Sequence, residues 1–113
     1  TSATLASNQI SLPSGTYYAD ATSAFLQTNT TQTRLYNLTD GSLLVLGTCN
    51  YAYSSNGIGT VLPLRGRFTL SGTKTIELQY RVETTINTNG LGYGTGNTWG
   101  NNTFTSLCIW KIA

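Results

Sequence analysis

The chain has 113 residues, of which only 9% are charged, and its net charge is +2 from six basic and four acidic side chains. One hydrophobic core fits this length and a second does not, so a single domain is expected. Six cations are too few to track a phosphate backbone, which argues against nucleic acid as a partner, and the longest apolar run, Leu43-Leu44-Val45-Leu46, is far too short for a membrane span.

Helical periodicity, internal repeats and charge runs are missing, and every predicted element is a strand. Residues 1–8 read as a linker. The opening Thr1-Ser2-Ala3, in a chain without Met, predicts a piece of a longer protein. Strands are predicted over Gln9–Leu12, Gly15–Gln27, Gln32–Leu38 and Leu43–Tyr53. The turn signals between and after them are Pro13-Ser14-Gly15, Asn29-Thr30-Thr31, Thr39-Asp40-Gly41 and Ser54-Ser55-Asn56-Gly57.

Next, Leu62, Leu64, Gly66, Phe68 and Leu70 alternate with Val61, Pro63, Arg65, Arg67 and Thr69. Pro63 lacks a ladder donor, so this strand is expected to start or to lie at an edge near it. From Thr75 to Thr85, Ile76, Leu78, Tyr80 and Val82 alternate with Glu77, Gln79, Arg81 and Glu83, the period of a half-buried antiparallel strand. Ser71-Gly72-Thr73 between the two predicts a hairpin, in which Arg65 and Arg67 would meet Glu77, Arg81 and Glu83 across the pair. A Gly-rich loop over Ile86–Asn102 and a final strand over Thr103–Ile112 complete the chain. Seven or eight strands in about 110 residues imply a two-sheet antiparallel sandwich or jelly roll.

Catalytic chemistry is hard to build from these residues. There is no His to act as general base. Glu77 and Glu83 stand six residues apart, roughly 20 Å along a strand, whereas paired glycosidase carboxylates lie about 5–9.5 Å apart. Asp40, ahead of Gly41, is expected to cap a turn. Without His, and with no calcium-type Asp or Asn spacing, neither a metal nor a cofactor is expected. Cys49 and Cys108 lie in apolar strand contexts and are expected to be buried free thiols. In the Gly-rich loop, Tyr93 and Trp99 are candidate glycan contacts, the alternative being that both rings pack the loop onto the sandwich. Asn29, Asn37 and Asn101 head glycosylation-type triplets of the kind that a chain rich in Asn and Thr produces by chance.

The final strand departs from simple alternation. Phe104, Cys108, Trp110 and Ile112 fill one face while Leu107 and Ile109 fill the other. A strand of an antiparallel sandwich has one face on its own core, so the second apolar face, Leu107 and Ile109, needs a cover, which is either a loop of the same chain or another subunit. A surface rich in Thr, Ser, Asn and Gly also lacks the Lys and Glu that keep sheets from associating, which points to a stable oligomer.

Several stretches together resemble the C-terminal domains of bacteriophage tail fibres and tailspikes. They are Ile10-Ser-Leu-Pro-Ser-Gly-Thr-Tyr-Tyr18, Arg34-Leu-Tyr-Asn-Leu-Thr-Asp-Gly41, Gly47-Thr48, Arg65-Gly-Arg-Phe68, Lys74-Thr-Ile-Glu-Leu-Gln79 and Ser106-Leu-Cys-Ile-Trp-Lys111. The resemblance implies an all-β jelly roll similar to the tumour-necrosis-factor and C1q heads, which trimerise around the sheet holding the first and last strands. It implies a non-enzymatic domain, residues 1–113, at the distal tip of a homotrimeric virion protein that folds in the bacterial cytoplasm. Such a domain would secure the trimer and contribute to contact with host surface polysaccharide, while an upstream domain could be a glycan depolymerase. Leu107, Ile109 and Trp110 are then the expected trimer contacts. The competing expectation is a monomeric carbohydrate-binding module working through Tyr93 and Trp99.

Overall fold

A computed structural model describes residues 4–6, 9–53, 59–84 and 105–113. Eight strands follow one another: β1 (Thr4–Ala6), β2 (Gln9–Leu12), β3 (Gly15–Leu26), β4 (Asn29–Asn37), β5 (Ser42–Ala52), β6 (Gly59–Leu70), β7 (Lys74–Val82) and β8 (Thr105–Lys111). They form two antiparallel sheets, one ordered β1-β2-β7-β4-β5 and the other β6-β3-β8.

Alternation decides what each strand buries. In β6 every second residue, Leu62, Leu64, Phe68 and Leu70, is buried, while Val61, Pro63, Arg65, Arg67 and Thr69 are exposed. On β3 the inward residues are Tyr17, Ala19, Ala21, Ser23 and Phe25, and on β4 they are Thr31, Thr33, Leu35 and Asn37. Leu12, Tyr17, Leu35, Val45, Leu64, Phe68 and Ile76 meet in the centre of the core. There the Tyr17 ring stacks on Phe68 with centroids 5.4 Å apart. Its hydroxyl donates to the Pro13 carbonyl at 2.7 Å, so the one polar atom of the ring is satisfied at the core margin.

The Ser71-Gly72-Thr73 link is not a hairpin. β6 pairs with β3, whereas β7 pairs with β2 and β4, so the link crosses from one sheet to the other. Alternation fixes which face of a strand is buried, but not which neighbour it bonds, and both strands here cover one core from opposite sides. The expected cross-strand charges therefore do not meet. Arg65 faces Asp20 on β3 at 3.4 Å, Glu83 accepts from the Thr30 amide and hydroxyl, and Glu77 accepts from the Gln79 amide. Among the described residues β6 pairs only with β3, which puts Pro63 on an edge strand as its missing donor requires.

Two further expectations shift. The Asn29-Thr30-Thr31 segment already belongs to β4, and the chain reverses at Gln27-Thr28, flanked by left-handed backbone at Gln27 (φ 58°) and Asn29 (φ 59°). The Asn29 side chain, a type that tolerates this conformation, donates to Thr84 Oγ1 at 2.7 Å. The first and last strands also lie in different sheets, β1 and β2 in the larger and β8 in the smaller, rather than sharing one.

The sandwich closes on one side, where β5 approaches β6. Register shifts in the β4–β5 ladder, between Gln32 and Arg34 and again between Leu35 and Tyr36, bend β5 out of a flat sheet. Glycines then permit the contact: a Cβ at Gly66 would stand 2.8 Å from Val45 Cγ1, and one at Gly47 would stand 2.8 Å from the Thr33 carbonyl and 3.4 Å from Leu64 Cβ. A side chain end yields to such intrusion more readily than backbone. Gly47→Ala is expected to destabilise the domain by about 1–3 kcal/mol or more, read from the urea midpoint; an unshifted midpoint would contradict this close approach.

Candidate functional site

On the other side of the sandwich β8 is an edge strand, paired only with β3 among the described residues. Its register sets Leu107 opposite Ala21, Cys108 opposite Asp20, Ile109 opposite Ala19 and Trp110 opposite Tyr18. Ala19 and Ala21 point into the core, so Leu107 and Ile109 do too. Both are partly buried and pack against the core cluster. The pairing runs on beyond Lys111: the Ile112 amide donates to the Thr16 carbonyl at 2.7 Å and the Thr16 amide to the Ala113 carbonyl at 2.9 Å.

Cys108 and Trp110 accordingly point outward. Trp110 is 52% exposed, Ile112 47% and Tyr18 36%. The Trp110 and Tyr18 rings lie 6.1 Å apart across the strand pair. In the same register row Arg67 flanks Tyr18, and one row further along Arg65 and Asp20 lie beside Cys108. The Thr16 and Thr69 hydroxyls share a hydrogen bond of 3.1 Å on the other flank. An aromatic pair with an aliphatic neighbour, ringed by polar groups, has the composition of an energetic centre of a protein interface.

Among the described residues nothing seals the inward side of β8. Leu107, Ile109, Lys111 and Tyr17 face Ile10, Leu12 and Pro13 across a groove of about 420 Å³ where the two sheets part. The structure therefore reverses the expected orientation of the last strand: Leu107 and Ile109, the face expected to need a cover from outside, turn toward their own core, and the Cys108 and Trp110 face turns outward. Leu107 and Ile109 line a groove that their own core half covers, and Trp110 stands on the outer face. Sequence reasoning missed Tyr18 and the groove wall formed by Ile10 and Leu12. The signal for Tyr18 was available: Tyr17 and Tyr18 are adjacent on one strand, so only one of them can reach the core.

The thiols are exposed and unbridged, contrary to the burial expected of them. Cys108 alternates with Leu107 and Ile109, so its apolar neighbours in sequence are on the opposite face. Cys49 lies opposite Gln32, on the outer face of the larger sheet. Tyr93, Trp99 and Phe104 lie outside the described residues. Two other ring surfaces are in view. Tyr51 and Tyr53 stack at 6.2 Å on β5, and the Arg34 guanidinium lies 4.1 Å over Tyr36 while its Nε donates to Gln79. Among the described residues no three His, Cys, Asp or Glu side chains gather into a metal-holding group.

Asp40 has a structural role different in detail from the one expected. The turn is capped by Asn37, whose Oδ1 accepts from the Asp40 amide at 3.1 Å, while the Asp40 carboxylate accepts from Asn37 Nδ2 and from Lys74 at 3.0 Å. The hydrogen bond from Lys74 holds the Asp40 carboxyl below its usual value against an opposing desolvation effect, with smaller help from Asn37 and from the charge of Lys74. Comparison of the chain with protein-family models, curated proteins and solved structures found no match.

A depressed folded-state pKa means that the ionised Asp40 contributes stability above its unfolded pKa, near pH 4, and loses it as pH falls through the lower folded value. Asp40→Asn is therefore expected to lower the urea midpoint at pH 7 and to flatten the decline of that midpoint below about pH 4. Parallel pH profiles for the two proteins would rule this linkage out.

Proposed function

We propose that this domain is the trimerisation cap at the distal end of a homotrimeric phage tail fibre or tailspike. Its sandwich would serve as the jelly-roll head of that tip and contribute to contact with host surface polysaccharide. The observation that carries the proposal is the outward face of β8, where Trp110, Tyr18 and Ile112 stand exposed together.

Exposed apolar side chains scattered singly need no explanation, but a cluster containing a half-exposed Trp on regular strand does. Removing each such side chain from water gains about 1.5–3 kcal/mol. Repeated in every subunit, that gain can offset the ordering cost of association. The low charge of the chain works in the same direction, since few Lys or Glu side chains stand in the way of close approach. The resemblance of six stretches to tail-tip domains supplies the biological setting: a domain that assembles and recognises, with no catalytic role, carried on a virion after folding in the bacterial cytoplasm. Two unbridged thiols suit that reducing compartment.

Light scattering at micromolar concentration is expected to return the mass of three chains for the wild-type domain. Trp110→Arg, at an exposed position, should leave the β-type circular dichroism spectrum intact and give the mass of one chain. A wild-type domain that runs as a monomer would refute the proposal. Thiol labelling gives an independent readout: in the assembled protein Cys49 should react freely while Cys108, beside Trp110 on the covered face, should react at least tenfold more slowly. Equal rates at the two thiols would place the contact elsewhere.

A further inference from the structure

A ring of three copies cannot be built from one self-complementary patch, because such a patch closes after two copies. Rotation by a third of a turn needs two different surfaces on every chain, each fitting the other. β8 carries both. Its outer side bears a knob made of Trp110 with Tyr18 and Ile112. Its inner side forms one wall of the open groove between the sheets, with Ile10 and Leu12 as the opposite wall.

We infer that Trp110 of one copy seats in the groove of the next, so that β8 contributes the knob to one neighbour and the groove to the other. The inference rests on the assembly proposed above and specifies its geometry. The groove, about 420 Å³, lies within the roughly 300–1,000 Å³ that holds a compact ligand, so a large side chain is a suitable occupant. Its lining residues Ile10, Leu107 and Ile109 are only partly buried by their own chain, and an incoming ring would remove the area they still expose.

Charge selects the same occupant. Among the groove residues the charged one is Lys111, a cation, and the knob is centred on an indole, the ring whose face attracts cations best. A ligand with its own positive charge would be repelled there.

Area requires that both surfaces of each chain be engaged. An aromatic side chain buries about 150–250 Å², so a knob exposed at 52% for Trp110, 47% for Ile112 and 36% for Tyr18 offers a few hundred Å². A stable interface takes roughly 800 Å² per partner. One knob in one groove falls short of that. A chain whose knob and groove are both engaged about doubles what it buries and leaves neither surface unfilled; a reciprocal pair would do the same, and the mass of three chains selects the ring.

The test is photo-crosslinking of the intact domain with p-benzoylphenylalanine placed at position 110, using a mixture of isotope-labelled and unlabelled chains so that crosslinks between copies are recognised by mass. Position 110 is exposed, so the substitution does not threaten the fold. Crosslinks between copies are expected on residues 9–13, 107 or 109. Crosslinks from position 110 of one copy to position 18 or 110 of another, in a protein that still weighs three chains, would overturn the knob-and-groove geometry while leaving assembly standing. A wild-type domain that weighs one chain would defeat the assembly itself, and this inference with it. As a second arm, Lys111→Glu should raise the trimer dissociation constant at least tenfold and Lys111→Arg should leave it within twofold. An unaffected Lys111→Glu protein would also count against the seating of Trp110 beside that cation.

Discussion

A strand has two faces, and a two-layer sandwich can cover only one of them with its own chain. Most strands of this protein obey that limit by sequence. β6 gives its Leu and Phe to the core and its Arg, Pro and Thr to water, and β4 buries Leu35 while exposing Arg34. β8 is apolar on both sides. The proposed assembly rests on that surplus, and the remaining architecture determines where it points.

The position of β8 follows from how the sheets close. β5 leans onto β6 through Gly47 and Gly66, so one flank of the sandwich is shut by direct strand contact. The opposite flank has β2 on one side and β8 on the other, and between them the groove remains. The tail beyond β8 is tied to Thr16 by backbone hydrogen bonds, which hold Ile112 and Trp110 in strand geometry. In the proposed assembly a surface fixed in advance would lose less side-chain and backbone freedom on contact.

The strands were legible in the sequence because period two is a local property. The buried and exposed sets of β6, and the edge position implied by Pro63, follow from residues within one strand. Pairing was not legible, since partners lie far apart and alternation carries no information about them. Thus Ser71-Gly72-Thr73, which has the composition of a hairpin turn, instead bridges two sheets, and Arg65 finds Asp20 rather than a glutamate of β7. The thiols show the same limit from another side. By alternation Cys108 shares a face with Phe104, Trp110 and Ile112, whose apolar character suggests a core, yet the register against β3 turns Cys108 and Trp110 outward. The doubled apolar character of β8 was readable, but its division into a half-covered inner side and an open outer side needed the register against β3.

That register has a temporal meaning. β3 is made well before β8, the last of the eight strands, so the edge of β3 that pairs with β8 waits until that strand has emerged. Contacts between such distant segments form slowly, and an unpaired edge meanwhile is open to wrong partners. Both the knob and one wall of the groove arrive with that final strand. In the assembly proposed above, synthesis order would therefore hold back this domain's contact surface until its own sandwich can close.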